Sequence, residues 1–335
     1  MNPFTTEEFP ILETLPQTWS ALKATRPMRI LLCEAEYVPD NSHTTVVARV
    51  VKSVCPDAEI FVYLTHSKID KLIQQTHQTL DEYFLRQATS LNHIADDIEA
   101  GRIAKIDIIN FSMGMGEVGS LKTYKTLTTL AGEKALSLGI CQYQDVIKRL
   151  DKMGIRMVFA AGNEGELKAT EIACELDKQR GTVSWDAYFA KKAVSSVVIV
   201  GRSDLQTTVY DWSDDTLSKD SSTGGDLDSQ PDLLAYGTYY GSDKKPSSGT
   251  SFSSPLVAGV MLQIKGTRPD LADQQIDTML KQSAVEVQDA VTKQLWLTTV
   301  NDKFFKPEKP GLKFLPPYFG WHQVAQLLFS GVVSE

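Results

Sequence analysis

Short apolar runs alternate with amphipathic stretches along most of the chain. Five runs have the length and composition of buried strands: residues 28–33, 57–64, 105–112, 154–162 and 193–201. Three stretches between them place apolar residues at helical spacing: residues 43–54, 90–103 and 143–154. Each of the last two has a glycine near its end, as the C-terminus of a helix prefers. The pattern therefore predicts strands and helices in alternation.

This alternation indicates an α/β fold, a doubly wound and mostly parallel sheet with helices on both faces, in a single domain. We place the domain at residues 28–290. An N-terminal extension, 1–27, is expected to lie on or near it, and a C-terminal extension, 291–335, to pack on it as a hairpin and a helix. Ligands of such a sheet gather at the carboxyl ends of the strands.

Composition and charge restrict which partners and which cellular location are expected. The chain has 335 residues, with 34 basic and 42 acidic residues and a net charge of −8. Phosphate binding needs concentrated Lys and Arg, so nucleic acid is not expected as a partner. Residues 1–16 lack the basic start and continuous apolar core of a secretory signal, and no run is long enough to span a membrane. We expect a cytoplasmic protein, or one exported without a Sec signal peptide.

The titratable residues show no metal pattern. Four scattered cysteines, Cys33, Cys55, Cys141 and Cys174, are interpreted as reduced thiols of the core, and the histidines do not cluster. No loop has a recognisable calcium ligand pattern, and the acidic stretch 211–232 is expected to be solvated. We therefore predict no cofactor, with calcium possible but unsupported.

Polar residues that could take part in catalysis follow the strands or open helices. Glu34 comes directly after the first run and His43 opens the first helix. Asn163 follows the fourth run, and Ser251 heads a later helix with Pro255 expected in its first turn. A serine hydroxyl becomes an effective nucleophile only with a base, an acid behind that base and donors for an oxyanion. The four residues, in this order along the chain, could provide these groups. Taken alone, Ser251 could instead be the cap of a helix.

Several segments carry a specific resemblance. The run GTSFSSPLVAG (249–259) resembles the serine motif of the subtilisin-like serine proteases, and AAGNEG (160–165) resembles their oxyanion-asparagine motif. INFSMG (109–114) is similar to the strand that pairs with substrate, and NSHTTVVARV (41–50) aligns with the histidine motif. Two core segments, SSVVIVGRSD (195–204) and PDLLAYG (231–237), complete the order. Ordered motifs of this kind are more specific than any one of them.

The resemblance implies a serine endopeptidase. Ser251 would attack the scissile carbonyl, His43 would transfer the proton, and Glu34 would orient the histidine. Asn163 would hold the oxyanion together with the backbone N–H of Ser251. A protein or peptide substrate would lie as an extended strand. The residues that the resemblance assigns to substrate binding are Ser112, Met113, Gly114, Ala161 and Gly162.

The chain departs from the family at the acid and after the histidine. The family has aspartate where this chain has Glu34, and Glu36 and Asp40 are alternative acids. Thr44 and Val46 replace the usual glycine and second histidine. These changes leave a second hypothesis, a catalytically weak or inactive relative that binds extended peptides or a protein partner. The oligomeric state is left open.

A second motif offers a different function. GMGEVG (114–119) follows a strand and has the glycine spacing of a dinucleotide-binding turn. The next strand ends in AAGNEG rather than in an acid that could bind a ribose. A strand edge that must admit a peptide closely explains the same glycines, so the peptide interpretation is preferred.

Overall fold

A computed structural model describes residues 22–34, 43–64, 80–113, 138–163, 183–204, 216–222, 231–240, 244–283, 285–286 and 313–314. These residues form eleven strands and six helices. The strands are β1 (Met28–Glu34), β2 (Ala58–Leu64), β3 (Ile108–Phe111), β4 (Arg156–Ala160), β5 (Val198–Asp204), β6 (Thr216–Leu217), β7 (Leu233–Tyr236), β8 (Thr238–Tyr240), β9 (Pro246–Ser248), β10 (Val285–Glu286) and β11 (Lys313–Phe314). The helices are α1 (His43–Val54), α2 (Leu80–Glu99), α3 (Leu138–Lys152), α4 (Trp185–Ala193), α5 (Thr250–Thr267) and α6 (Asp273–Ser283).

Six parallel strands form the centre of the main sheet, in the order β7-β5-β4-β3-β1-β2. The short β6 pairs antiparallel with β5, and β11 adds beside β7 with β10 outside it. A separate hairpin joins β8 to β9. The fold prediction of a mostly parallel sheet is therefore confirmed.

Each face of the sheet carries its own core. Alternate residues of β1 point to opposite faces, so Ile30 and Leu32 join the core under α1 and α5 while Leu31 joins the core under α2, α3 and α4. Both cores consist of residues that are almost completely buried. Helices thus cover both faces of the sheet, as the alternating pattern predicted.

The helix ends agree with the sequence better than the helix starts. Helix α1 has the predicted bounds, but α2 begins at Leu80 and α3 at Leu138, earlier than predicted. Gly101 and Gly154, at φ +68° and +72°, follow the ends of α2 and α3. At Gly154 the N–H donates to the carbonyl of Asp151, and the next N–H donates to Leu150, which closes the helix in a Schellman motif.

Helix α5 lies centrally and supports α1. A Cβ added at Gly259 would stand 2.5 Å from Cγ2 of Val54, so the absence of a side chain lets the two helices approach closely. Pro255 was expected in the first turn of this helix, which is wrong. The helix begins at Thr250, so Pro255 is its sixth residue and cannot donate to the carbonyl of Ser251.

The cysteines are only partly in the core. Cys33 and Cys55 are buried, and desolvation raises the pKa of the Cys55 thiol to about 12. Cys141 is exposed on α3, so its prediction as a core thiol is wrong. Cys174 lies outside the described residues.

The residues before β1 contact α5. The carbonyl of Leu22 accepts from the amide of Gln263, and Thr25 donates both its N–H and its hydroxyl to the carbonyl of Gly266.

Within the described ranges, no helix has both the length and the apolar character needed to cross a membrane.

Candidate active site

The carboxyl edge of the central sheet brings the candidate residues to one place. The chain moves from β1 to β2 on one side and reaches β3 on the other side of β1, which makes a topological switch point. Glu34 ends β1, Ser112 follows β3, and Asn163 follows β4. Residues that end or follow three neighbouring strands therefore lie at the edge where an open parallel sheet binds ligands.

Glu34 and His43 are hydrogen bonded. Nδ1 of His43 lies 2.8 Å from Oε2 of Glu34, and the Glu34 side chain is 1% exposed against 39% for the His43 side chain. A carboxylate only accepts hydrogen bonds, so Nδ1 carries the proton and donates it. This tautomer leaves Nε2, the other ring nitrogen, with a lone pair that can accept a proton.

The imidazole of His43 also contacts α5. Its ring centroid lies 5.2 Å from that of Phe252, the residue directly after Ser251. The ring of Tyr239, on β8, packs against Phe252 with its centroid at 5.5 Å. Because His43 opens α1 and α1 packs along α5, the histidine is held beside the first turn of the helix that carries Ser251.

Ser251 lies in that first turn, beside Asn163. A Cβ added at Gly249 would stand 3.1 Å from Oγ of Ser251 and 3.4 Å from Nδ2 of Asn163, so both polar groups border the space that this glycine leaves open. Gly249 is the N-cap of α5 and brings no side chain to cap it. The N-terminal N–H groups of a helix, together with its dipole, favour negative charge at this position.

The orientation of the Asn163 amide follows from its partners. Its Oδ1 accepts from the N–H of Thr250 at 2.9 Å and from the Thr250 hydroxyl at 3.1 Å. A backbone N–H can only donate, so the atom facing it is the carbonyl oxygen and the NH₂ group is on the other side. The amide is therefore fixed in one orientation, with Nδ2 at 3.4 Å and Oδ1 at 3.6 Å from a Cβ added at Gly249.

Thr250 is a residue whose role the sequence did not indicate. Its hydroxyl oxygen also accepts from the N–H of Gly162 at 3.1 Å, so one side chain fixes both Gly162 and Asn163. Thr250 appeared in the sequence only as part of the Gly-Thr-Ser motif. Only its contacts with the loop after β4 show that it acts as a link.

The described candidate substrate-binding residues follow two neighbouring strands, β3 and β4. Ser112 is buried, and its Oγ accepts from Nδ2 of Asn110 at 2.7 Å, while Met113 is 39% exposed. Ala161 is buried, and Gly162 is half-buried at φ +109°. Gly114 and the motif at 114–119 lie outside the described residues, as do the alternative acids Glu36 and Asp40.

The described part of the chain contains no group of three or more His, Cys, Asp or Glu residues that could hold a metal ion. The described residues of the site provide a paired carboxylate and imidazole, a serine hydroxyl and a fixed amide.

Solved structures show the same fold. The prenylagaramide maturation protease PagA is 14% identical, with a TM-score of 0.52, and the match covers 96% of this chain and 99% of that protein. The nisin leader peptidase NisP from Lactococcus lactis is 14% identical at a TM-score of 0.55, covering 96% and 95% of the two chains. The epidermin leader peptide processing serine protease EpiP from Staphylococcus aureus is 14% identical at a TM-score of 0.55. The match covers 96% of this chain and 81% of that protein.

Comparison at the level of sequence identifies the family. No curated protein sequence matches the chain significantly. The sequence model of the subtilase family, Peptidase_S8, matches residues 35–304. This match begins one residue after Glu34, so it carries no information about glutamate at that position. It spans most of the chain and agrees with the motif order and the fold, and the chain therefore belongs to the subtilase family.

Proposed function

We propose that this subtilase is a serine endopeptidase in which Ser251, His43 and Glu34 act together and Asn163 stabilises the oxyanion. The observation that carries the proposal is the 2.8 Å bond between the buried Glu34 carboxylate and Nδ1 of His43, beside the first turn of α5. The bond presents Nε2 of the same ring as a base. The fixed amide of Asn163 supplies a donor next to the Ser251 hydroxyl.

The proposed reaction has two halves. In the first, Nε2 of His43 takes the proton of the Ser251 hydroxyl as Oγ attacks the peptide carbonyl carbon. The imidazolium then gives this proton to the leaving amine nitrogen as the C–N bond breaks. In the second, Nε2 takes a proton from water, which attacks the acyl ester, and returns it to Oγ as the carboxylic acid leaves. Glu34 remains ionised and stabilises the imidazolium in both halves.

The negative oxygen of each tetrahedral intermediate needs donors. Nδ2 of Asn163 and the backbone N–H of Ser251 are the proposed pair, and the N-terminal end of α5 adds a favourable dipole. We place an extended peptide along residues 112–114, where backbone hydrogen bonds would add it as a strand. Its side chain next to the cut would lie between those residues and the pair Ala161 and Gly162.

Substitution of the nucleophile tests the proposal. Ser251→Ala should abolish hydrolysis of a peptide mixture and covalent labelling by a fluorophosphonate, with an unchanged melting temperature. Ser247→Ala, on the exposed strand β9, is the matched control and should react as the wild-type protein does. Hydrolysis that persists in Ser251→Ala would overturn the proposal. Stoichiometric binding of peptides without any labelling of Ser251 would instead favour a peptide-binding protein.

A further inference from the structure

Arg202 is a buried cation near the carboxyl end of β5. Its side chain is only 6% exposed, and a buried guanidinium is costly unless it is well paired. Nε donates to Oδ1 of Asp204 at 3.1 Å, while Nη2 donates to the hydroxyl of Ser218 and lies 3.4 Å from Oδ2 of Asp220. Arg202 follows Val198 and Val200 in alternation, so it lies on the sheet face that carries α1 and α5.

The backbone of Arg202 binds the same turn as its side chain. We call residues 218–222 the Ser turn. The N–H of Arg202 donates to Oγ of Ser221 at 2.9 Å, and its carbonyl accepts from the N–H of Ser218 at 3.0 Å. A single residue of β5 therefore holds the Ser turn through main-chain and side-chain contacts together.

The Ser turn contacts the loop that carries the amide donor. The N–H of Ser222 donates to the carbonyl of Gly162 at 3.0 Å, while the N–H of Gly162 donates to Thr250. Gly162 has φ +109°, a conformation that favours glycine and that the two bonds hold from opposite sides. Asn163 is the next residue, so the Ser turn determines the position from which its side chain starts.

The aliphatic part of Arg202 reaches the serine motif by a second route. A Cβ added at Gly237 would stand 3.0 Å from Cγ of Arg202 and 2.6 Å from the carbonyl oxygen of Gly249. The N–H of Gly249 donates to the carbonyl of Gly237 at 3.0 Å. Arg202 thus packs against Gly237, the residue whose carbonyl supports Gly249.

From these contacts we infer that Arg202 is a positioning residue for the reaction proposed above, acting through the Ser turn and Gly162 on the Asn163 amide. This inference rests on the proposed function. In this proposal the guanidinium acts through these contacts rather than on the substrate. It holds in place the backbone from which the oxyanion donor projects, and a misplacement of about 1 Å at such a donor can cost about 100-fold in rate.

Arg202→Met tests the inference, with Arg156→Met as the matched control. Both arginines are buried and ion paired on central strands, at 6% and 4% side-chain exposure, but Arg156 lies at the opposite edge of the sheet. Arg202→Met should lower kcat by about 10- to 100-fold with a smaller change in KM, because the oxyanion forms only in the transition state. Arg202→Lys should recover part of the loss, and Arg156→Met should keep the wild-type kcat per folded molecule.

A double substitution separates positioning from general damage. If Arg202 acts through Asn163, then Arg202→Met in an Asn163→Ala background should lower kcat by less than about 3-fold. Full additivity of the two effects would overturn the inference. Should Arg202→Met fail to fold, Ser218→Ala removes one acceptor of the guanidinium and should lower kcat in the same direction, by about 3-fold.

Amide hydrogen exchange without substrate provides a readout that needs no catalysis. Exchange at residues 162, 163 and 222 should be about 10-fold faster in Arg202→Met than in the wild-type protein, and unchanged in Arg156→Met. Equal exchange in all three proteins would overturn the inference even where Ser251-dependent hydrolysis is present. Absence of that hydrolysis in the wild-type protein would instead overturn the proposed function, whatever the exchange result.

Discussion

The two edges of the central sheet use charge in different ways. At the amino edge, acids pair with permanent cations, as Asp107 does with Arg26, Asp277 with Arg156 and Asp232 with Lys191. At the carboxyl edge, the buried acid Glu34 pairs with His43, the one side chain type that readily exchanges a proton near neutral pH. The amino edge thus holds only fixed pairs among these examples, whereas the carboxyl edge holds a pair that can transfer a proton as well as the fixed charge of Arg202.

The contacts around these groups differ as well. Asp107 also accepts a hydrogen bond from the N–H of Arg29, and Asp232 accepts one from the N–H of Ile199. These two acids of the amino edge therefore hold the first residues of β1 and β5 in place. At the carboxyl edge, Thr250 and Arg202 fasten loops to one another. The comparison predicts that substitutions at the amino edge change stability, whereas those at the carboxyl edge change kcat.

After replacement of the nucleophile itself, Glu34→Gln should have the largest effect at the carboxyl edge. Gln can accept from Nδ1 of His43 but carries no charge to stabilise the imidazolium, and its NH₂ group can impose the wrong tautomer. The corresponding change in a Ser-His-Asp triad costs about 10⁴ in kcat, and we expect about 10³ to 10⁴ here. Steady-state kinetics on a peptide substrate measures the loss.

Glu34→Asp is the control for this prediction. It keeps the charge but shortens the side chain by one methylene, so part of the activity lost in Glu34→Gln should be retained. Unchanged kcat in Glu34→Gln would contradict the assignment of the acid and direct attention to Glu36 and Asp40.

Asn163→Ala should have the next largest effect. Loss of one oxyanion donor costs about 10² to 10³ in kcat, with little change in KM. Asn163→Asp is a sharper variant, because it keeps an oxygen for Thr250 and replaces the donor with a negative charge. We expect Asn163→Asp to be at least as slow as Asn163→Ala. An active Asn163→Asp variant would show that the amide does not meet the oxyanion.

Arg156→Met should act on stability instead. Breaking a buried ion pair costs about 3–5 kcal/mol, and we expect about 3 because the Asp277 side chain is a quarter exposed. Denaturant unfolding measures this loss, while kcat per folded molecule should be unchanged. A large fall in kcat would contradict the division between the two edges.

The pH dependence sharpens this prediction. Burial raises the pKa of Asp277 although Arg156 opposes the shift, so without Arg156 the carboxyl group should hold its proton more strongly. Raised folded-state pKa values favour the folded protein at low pH, and this contribution is lost as pH rises through the folded pKa. The stability deficit of Arg156→Met should therefore be smaller at acidic than at neutral pH. An equal stability deficit at acidic and neutral pH would show that Asp277 is not the cause of the deficit.

The sequence predicted the parts of the fold that depend on apolar periodicity. The five runs correspond to β1 to β5, and α1 has its predicted bounds because its valines recur at helical spacing. The start of α2 was missed because charged residues surround Tyr83 and Phe84, which are nevertheless buried against the other helices of that face. Burial against a distant partner overrode the local polar pattern.

The candidate site divides in the same way. Glu34, His43, Asn163 and Ser251 could be selected because each follows a strand or opens a helix within a recognisable motif. The hydrogen bonds that connect these residues could not be predicted, because the bonds of Thr250 and Arg202 depend on how polar loops fold back on the sheet. Such loops have no periodicity, and Ser222 bonds to Gly162 through its backbone N–H, which the side-chain pattern does not reveal. Side-chain patterns predict which residues reach an edge but not which backbone groups hold them there.

Thr250→Val should give the smallest of these effects and tests how the carboxyl edge is held together. Valine has nearly the same shape, but it removes the acceptor of the Gly162 N–H and one of the two donors to Oδ1 of Asn163. Asn163 keeps the backbone N–H of residue 250, so its amide should shift rather than detach. We expect kcat to fall by about 10-fold, with a loss of about 1 kcal/mol of stability because the N–H of the half-buried Gly162 is left without this partner. Thr250→Ser keeps the hydroxyl and should stay close to wild type. If it fell as far as Thr250→Val, the methyl group rather than the hydrogen bonds would hold the amide, and loops at this edge would be positioned by packing, as strands are.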